Sequence, residues 1–252
     1  MKYSVCIDAL YGGKDFLQGM RETKESGIQG MEFWSWWDKD IARIAAEKEK
    51  LGLTAAAMCT KFISLVDPAQ QDAYLAGLKE SIETAKLLDC HTLISQVGAD
   101  TGEPRERQHG YICEGLKKAA EVLEGSGITL VVEPLNTAVD HPGYYLSSSR
   151  EAFDIVKEVD SANVKVLFDI YHQQITEGDV IRSILGNISL IGHFHAAGNP
   201  GRHELDDGEL NYPNIFRAIQ ESGYTGFMGL EYFPLKSAPD GLKNLSGREA
   251  FV

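Results

Sequence analysis

One short pattern recurs in this chain at the points where a helix would give way to a strand. A helical segment ends, a glycine follows, and an apolar residue opens the next segment, as in Ser26-Gly27-Ile28 and Ser126-Gly127-Ile128. Leu51-Gly52-Leu53 and Ser222-Gly223-Tyr224 repeat it. Glycine suits this position because a helix end needs a positive φ, which a residue without Cβ adopts at little cost. The irregular spacing of these phrases excludes a short-period solenoid and indicates repeated βα units.

Eight segments have the apolar, β-rich character of strands, and a helical segment occupies each gap between them. This alternation in a chain of 252 residues favours an α/β fold, a closed (β/α)8 TIM barrel that forms a single domain over residues 1–252. A doubly wound sheet is the alternative, but Asp8-Ala-Leu-Tyr-Gly-Gly13 lacks the G-x-G-x-x-G spacing typical of its phosphate loop. The predicted strands cover residues 3–8, 28–33, 53–58, 91–96, 128–133, 164–169, 190–195 and 226–231. The predicted helices cover residues 15–26, 40–50, 70–88, 107–124, 150–158, 181–185 and 213–221, with one short helix after residue 236.

The fifth to eighth predicted strands each end in a side chain that can bind a metal ion. These are Glu133, Asp169, His195 and Glu231. The ends of neighbouring strands form a contiguous arc at one rim of a barrel, so the four side chains can converge there. Three carboxylates buried together without a cation would be destabilised by repulsion and desolvation. Because oxygen ligands dominate the set, we predict one divalent metal ion per chain, Mg²⁺ or Mn²⁺.

Two basic side chains near these strand ends are candidates for substrate binding. His172 follows Asp169 by three residues, in the loop that we expect there, and would either contact a substrate oxygen or support a neighbouring side chain. We favour the substrate contact. Arg202 lies in a loop just beyond His195. A guanidinium binds a carboxylate or paired hydroxyls through two hydrogen bonds, so we expect substrate binding rather than a solvated surface charge. His193 lies deeper in the predicted barrel and is expected to be structural.

A cluster of tryptophans follows the second predicted strand. Trp34, Trp36 and Trp37 lie in a loop position, where they would either line the mouth of a pocket or pack subunits together. Exposed tryptophans are typical of both settings. A homo-oligomer therefore stays open alongside the pocket interpretation.

The amino-acid composition indicates which kinds of molecule the protein can bind. The formal net charge of −13 opposes sequence-independent nucleic-acid binding, and no basic stripe is present. No apolar stretch approaches the roughly 20 residues of a membrane span, and we expect no signal peptide. Four cysteines are dispersed without C-x-x-C spacing, as is typical of free thiols in a reducing cytoplasm. We therefore predict a cytoplasmic protein that acts on a small molecule, with no nucleic-acid or membrane partner.

Several ordered motifs resemble those of the hydroxypyruvate isomerase family, within the xylose-isomerase-like barrel superfamily. They are densest between residues 133 and 234. The resemblance implies that Glu133, Asp169, His195 and Glu231 bind the metal ion and that the two glutamates also move protons. The matching segments are Val132-Glu-Pro-Leu-Asn-Thr137, His141-Pro-Gly-Tyr-Tyr-Leu146, Phe168-Asp-Ile-Tyr-His-Gln-Gln174, Gly192-His193, Asn199-Pro-Gly-Arg202, Gly208-Glu-Leu-Asn-Tyr212 and Gly229-Leu-Glu-Tyr-Phe-Pro234.

The activity that this resemblance implies is isomerisation of hydroxypyruvate to tartronate semialdehyde, with proton transfer through an enediolate. One position departs from the family: His195 stands where hydroxypyruvate isomerases carry glutamine and ketose 3-epimerases carry histidine. The loop at Arg202 and the segment at residues 208–212 favour the hydroxypyruvate enzymes. A ketose 3-epimerase is therefore the alternative. A barrel kept only to bind sugars would be expected to have lost part of the metal-binding quartet, which is complete here.

Overall fold

The strands of the protein close into a barrel. A computed structural model describes residues 1–206 and 208–246, and within these residues eight parallel strands pair in chain order, with β8 returning to β1. The predicted (β/α)8 TIM barrel is confirmed. Residue 207 and residues 247–252, which belong to the predicted domain, lie outside the described residues. The strands are β1 Lys2–Cys6, β2 Gly30–Phe33, β3 Thr54–Cys59, β4 Thr92–Ser95, β5 Thr129–Val132, β6 Val164–Asp169, β7 Ile191–Ala196 and β8 Phe227–Leu230.

At least one helix separates each strand from the next, and a last helix follows β8. Side chains at several helix starts satisfy the first free backbone N–H groups, as Asp15 does for Gln18 and Asp40 does for Arg43. Over the described residues, no helix combines the length and the apolar character needed to cross a membrane. The helices are α1 Ile7–Leu10, α2 Phe16–Glu25, α3 Ile41–Leu51, α4 Gln71–Leu88, α5 Arg105–Leu123, α6 Ser149–Val159, α7 Ile170–Thr176, α8 Val180–Asn187, α9 Tyr212–Glu221 and α10 Ala238–Ser246.

Two apolar layers stabilise this arrangement. The larger lies between the barrel and the surrounding helices and includes most of the buried side chains. The smaller lies on β3 to β6 and consists of Ala57, Cys59, Ile94, Val131 and Leu167. Together with the buried polar side chains of Ser4, Glu32 and His193, these residues give the barrel a packed core rather than a pore. Polar side chains replace this packing towards the carboxyl ends of β5 to β8, where the candidate site begins.

The structure differs from the sequence-based expectations in two places that matter for the site. The first strand ends at Cys6 instead of reaching Asp8, because the short helix α1 begins at Ile7. The second difference follows β6, where α7 begins directly instead of a loop. Asp169 starts that helix by accepting the backbone N–H groups of Tyr171 and His172 at 2.8 and 3.2 Å.

Candidate active site

The structure brings the four predicted metal ligands together at the carboxyl rim. Glu133 and Glu231 come directly after β5 and β8, Asp169 is the last residue of β6, and His195 lies in β7. The register places His195 beside Asp169 on one side and Gly229 on the other. One potential ligand atom from each of the four lies within 4.8 Å of the others, and all four residues are buried.

The geometry of the four side chains suits a cation. Asp169 Oδ2 and His195 Nδ1 are buried without a hydrogen-bond partner. His195 Nδ1 lies 3.3 Å from Glu231 Oε2 and 3.7 Å from Glu133 Oε1. Burial raises the pKa of Asp169, although Arg202 and His195 act in the opposite direction. A divalent ion would give the orphaned atoms a partner and neutralise the carboxylates, and a mostly oxygen donor set fits a hard ion. These residues could therefore hold a metal ion.

A fifth buried residue, Glu32 on β2, orients the imidazole. Its Oε2 accepts a hydrogen bond from His195 Nε2 at 2.8 Å, and its Oε1 accepts one from His193 Nε2 at 3.0 Å. The hydroxyl of Ser4 also donates to Glu32. Burial opposes ionisation, but the two imidazoles hold the pKa of Glu32 well below its usual value. Because a carboxylate only accepts, the Nε2 atom of His195 carries a proton, and its Nδ1 atom is the one that faces the carboxylates at the rim. Burial opposes a charged imidazole, but Glu231 and Glu32 outweigh it and raise the pKa of His195 well above its usual value, so a bound cation would replace the proton on Nδ1.

Glu32 was missed because it lies inside a run that we identified only as a strand. The one available signal was an acidic residue in an otherwise apolar segment, at residues 28–33. The space that it shares with His195 depends on Gly229. A Cβ atom there would lie 2.5 Å from His195 Cδ2 and 2.7 Å from Glu32 Oε1, so any side chain at this position would displace the pair.

The two glutamates at the rim have different neighbours. Trp34 Nε1 donates to Glu231 Oε1 and Arg202 Nη2 donates to Glu231 Oε2, each at 2.5 Å. The Nε group of Arg202 also donates to the backbone carbonyl of Glu231 at 3.3 Å. Glu133 Oε2 accepts a weaker hydrogen bond from Gln96 Nε2 at 3.2 Å. The carboxylate of Glu231 therefore has more and shorter hydrogen bonds to the protein than the carboxylate of Glu133.

Arg202 contacts Glu231 of the candidate metal-binding quartet, and both residues line one cavity. Its φ of 58° is unusual for a residue with a side chain, and such strained positions cluster at functional sites. Burial alone would raise the pKa of Glu231, but the positive charges of Arg202 and His195 outweigh it and hold that pKa well below its usual value. Glu231 is therefore a carboxylate at neutral pH.

His172 lies in α7 instead of the expected loop, and it is fully buried beside the quartet. Its Nε2 lies 3.6 Å from Asp169 Oδ2 and has no hydrogen-bond partner. Burial, together with the nearby positive charge of Arg202, lowers the pKa of His172 to about 3. The imidazole is therefore neutral, and one of its nitrogen atoms is directed towards the centre.

A cavity of about 550 Å³ opens above these residues. Its apolar wall includes Phe62, Ile94, Leu135 and Phe233. Volume and lining are typical of a small-molecule site, in which a mostly apolar wall surrounds a few convergent polar groups.

One member of the tryptophan cluster occupies the first of the two settings that the sequence left open, the wall of a pocket. Trp34 lines the cavity and contacts Glu231. The indole N–H group of Trp36 donates to Ser81 at 3.2 Å. Trp37 is 39% exposed and packs edge-on against Phe62. A homo-oligomer stays a prediction.

Comparison with known proteins places the chain among enzymes. Residues 20–247 match the family described as Xylose isomerase-like TIM barrel. The chain is 32% identical to the 2-oxo-tetronate isomerase of Cupriavidus necator, covering 96% of each protein. It is 30% identical to the hydroxypyruvate isomerase of Escherichia coli, covering 96% of this chain and 97% of that protein. A crystal structure described as AP endonuclease, family 2, from Brucella melitensis has a TM-score of 0.93 at 32% identity, covering 97% of this chain and 98% of that one.

These relatives match over nearly the whole length of the chain, so the similarity includes the strands that carry the quartet. The resemblance to hydroxypyruvate isomerases is confirmed, and so is the prediction that this protein is an isomerase. The chain belongs to the xylose isomerase-like TIM barrel family.

Proposed function

We propose that this protein is a metal-dependent isomerase that interconverts hydroxypyruvate and tartronate semialdehyde, or a closely related 2-oxo sugar acid. The observation that carries the proposal is the pair of glutamates, Glu133 and Glu231, at the ends of β5 and β8. Both approach His195 Nδ1, at 3.7 and 3.3 Å, and both line one cavity. Two carboxylates that flank a substrate can exchange protons with adjacent carbon atoms, as an isomerisation requires.

The proposed metal site consists of Glu133, Asp169, His195 and Glu231, with one Mg²⁺ or Mn²⁺ ion per chain. Such an ion polarises a carbonyl and an adjacent hydroxyl as a Lewis acid. Glu32 contributes by holding a proton on His195 Nε2, so that Nδ1 faces the centre and would bind the ion.

Proton transfer is assigned to the two glutamates. In the forward direction one of them removes a proton from C3 of hydroxypyruvate, and the other delivers a proton to C2. A further proton passes from the C3 hydroxyl to the C2 oxygen, so the carbonyl moves from C2 to C3 with no net gain or loss of atoms or electrons. The reaction is reversible, so each glutamate acts as acid in one direction and as base in the other.

Binding of the acid is assigned to Arg202 and His172. Arg202 places a positive charge beside the cavity in a chain whose formal net charge is −13, and it would bind the substrate carboxylate. His172 presents an unpartnered nitrogen and would contact a substrate oxygen. The apolar wall restricts access of water to the reacting carbon atoms.

A ketose 3-epimerase is the second candidate, favoured by the volume of the cavity. About 550 Å³ exceeds what a three-carbon acid fills, and the excess would accommodate a longer sugar. In that reaction the proton returns to the same carbon from the opposite face, which the same pair of glutamates can perform.

We do not extend the proposal to DNA repair, although a related structure is described as an AP endonuclease. An acidic chain with carboxylates at its rim repels phosphates unless bound cations offset the charge. We propose a cytoplasmic location, because Cys6, Cys59, Cys90 and Cys113 are all unpaired thiols.

A substrate panel tests the proposal. Purified protein with added Mn²⁺ or Mg²⁺ is incubated with hydroxypyruvate, a four-carbon 2-oxo sugar acid and free ketoses, and the products are identified by NMR. We expect turnover of the acids, with solvent deuterium appearing at the carbon that receives the proton. Efficient epimerisation of a ketose with no turnover of either acid would overturn this choice.

Metal analysis tests the site independently of turnover. The protein should bind about one divalent ion per chain, and Asp169→Asn or His195→Ala should weaken the binding of Mn²⁺ measured by calorimetry. An empty site in the unmodified protein under saturating Mn²⁺ would contradict the metal assignment.

A further inference from the structure

We propose that Asn136 is a positioning residue that fixes the tautomer of His172, so that its Nε2–H group is a permanent hydrogen-bond donor to the ligand in the cavity. The proposal rests on the proposed function only for the identity of that ligand. It concerns the loop between β5 and α6, and the two hydrogen bonds that carry it join Asn136 to His172.

The orientation of the Asn136 amide is determined by its own loop. Its Oδ1 accepts the backbone N–H groups of Val139 and Asp140, at 3.0 and 3.1 Å. An amide nitrogen cannot accept these bonds, so the assignment of oxygen and nitrogen is unambiguous. The Nδ2 group therefore points the other way and donates to Asp140 Oδ2 and to His172 Nδ1, each at 2.6 Å.

A second donor acts on the same ring nitrogen. The backbone N–H group of Asn136 also points to His172 Nδ1, at 3.3 Å. Neither group can accept a hydrogen bond, so Nδ1 must present its lone pair. The proton of a neutral imidazole then lies on Nε2, and a doubly protonated ring would set an N–H group against two donors.

The opposite edge of the ring supports the same tautomer. His172 Nε2 is buried and has no hydrogen-bond partner, and Asp169 Oδ2 lies 3.6 Å away. With the proton on Nδ1, the lone pair of Nε2 would face this carboxylate and repel it. With the proton on Nε2, the N–H group points towards the cavity that His172 lines.

This arrangement supplies a donor without adding a charge. A substrate oxygen that gains negative charge during proton transfer would accept a hydrogen bond from Nε2–H, as in an oxyanion hole. The protein has already set the donor direction before the ligand arrives, so no proton has to move within the ring. Asn136 reaches the ligand only through His172 and is therefore a positioning residue.

A charge-conserving exchange provides the test. In the double variant Asn136→Asp/Asp140→Asn, the two side chains swap chemical type, and the carboxylate now facing His172 Nδ1 only accepts. The matched control is Asp140→Asn alone, which keeps the Asn136 amide against the imidazole. Two-bond ¹H–¹⁵N NMR spectra of the substrate-free protein report the tautomer, and the His172 signal is identified by its loss in His172→Gln.

We expect the Nε2–H tautomer in the unmodified protein and in Asp140→Asn, and the Nδ1–H tautomer in the double variant. Relative to Asp140→Asn, the double variant should lose about 10²-fold in kcat, the scale for one oxyanion donor. An Nδ1–H tautomer in the unmodified protein, or an unchanged tautomer in a folded double variant, would overturn the proposal. If the double variant does not fold, the spectrum of the unmodified protein decides alone. The two proposals can fail separately. If the protein shows the expected tautomers but turns over no member of the substrate panel, the proposed function is refuted and the role of Asn136 stands.

Discussion

Three clusters of described side chains could bind a metal ion, and the one formed by Glu32, His193 and His195 shares its last residue with the rim quartet. The other two have no residue in common and differ in almost every other respect. The rim quartet comes from the strand ends of the barrel. The second cluster lies between α5 and α6 on the outside and consists of His109, Cys113 and Glu158, whose potential ligand atoms also lie within 4.8 Å of one another. By residue type and spacing alone, each qualifies as a candidate metal site.

The atoms of the outer cluster already have partners. His109 Nδ1 lies 3.5 Å from Glu151 and His109 Nε2 lies 3.4 Å from Glu158. Lys117 also binds Glu158, at 3.4 Å, and both of these side chains are about half exposed. Burial and the charge of Glu158 raise the pKa of Cys113 to about 12, so the thiol is protonated. The outer cluster is a network of surface ion pairs beside a buried thiol.

The rim quartet has the opposite character, since two of its polar atoms are buried without a partner. A buried polar group without a hydrogen bond is destabilising, and native proteins keep one only where something else compensates. The comparison teaches that unpartnered buried atoms, more than the types of residue, distinguish a site prepared for a ligand from side chains that satisfy one another.

The largest effect is expected when the base is removed at the rim. Replacing Glu133 or Glu231 with glutamine keeps an oxygen ligand but removes the proton acceptor, so kcat should fall by about 10²- to 10⁴-fold. The measurement is turnover of the preferred acid at saturating Mn²⁺, with the metal content of each variant checked. Near-normal turnover in both variants would refute the two-glutamate mechanism.

The next effect concerns the charge beside the quartet. Arg202→Ala should raise KM for the acid substrate by an amount equivalent to roughly 2–4 kcal/mol, the scale for truncating a buried charged pair. Arg202→Lys should recover little, because lysine lacks the planar fork that binds a carboxylate. An equal rise in KM for an acid and for an uncharged ketose would show that Arg202 does not recognise the carboxylate.

A smaller effect is expected from the residue behind the imidazole. Glu32→Gln leaves only one side-chain oxygen for the two imidazole N–H groups, so Mn²⁺ affinity should fall by about 10- to 100-fold. Ser4→Ala is the matched control, since Ser4 bonds the same carboxylate without contacting either histidine in that network. Equal losses in both variants would assign the effect to general packing around Glu32.

The smallest effect is expected in the outer cluster. His109→Ala should leave the stoichiometry of metal binding and turnover unchanged and should lower the free energy of unfolding by less than about 1 kcal/mol, as for exposed ion pairs. Denaturant unfolding and metal analysis of the same sample provide both values. A loss of bound metal in this variant would break the distinction drawn between the two clusters.

Most residues of the rim could be predicted from the sequence, because the pattern that identifies them lies within each short segment. Each of the four strand runs is a short apolar segment that stops at a polar residue, and the predicted end of β6 at Asp169 coincides with the observed one. Parallel strands put their carboxyl ends at one edge, so the convergence of the four side chains follows from the alternation of elements alone. The type of reaction was predicted from the ordered motifs, because they resemble those of a known enzyme family.

Other features depended on the closed barrel. The contacts of Glu32 with His193 and His195 join β2 to β7, which are far apart in the chain. Nothing in the local pattern of β2 indicates which strand lies opposite, because that depends on closure and register. Arg202 was expected near the site, but the sequence indicates neither its contact with Glu231 nor the positive φ of its backbone.

The sequence by itself thus determined the order of elements, the rim at which the polar strand ends meet, and the chemical types gathered there. The tertiary structure alone decided which atoms face one another: His195 Nε2 towards Glu32, His195 Nδ1 towards the carboxylates, and Asn136 against His172. The physical reason is one of range. Periodicity and strand ends follow from neighbouring residues, whereas hydrogen-bond direction depends on side chains that only the folded barrel brings within about 3 Å of one another.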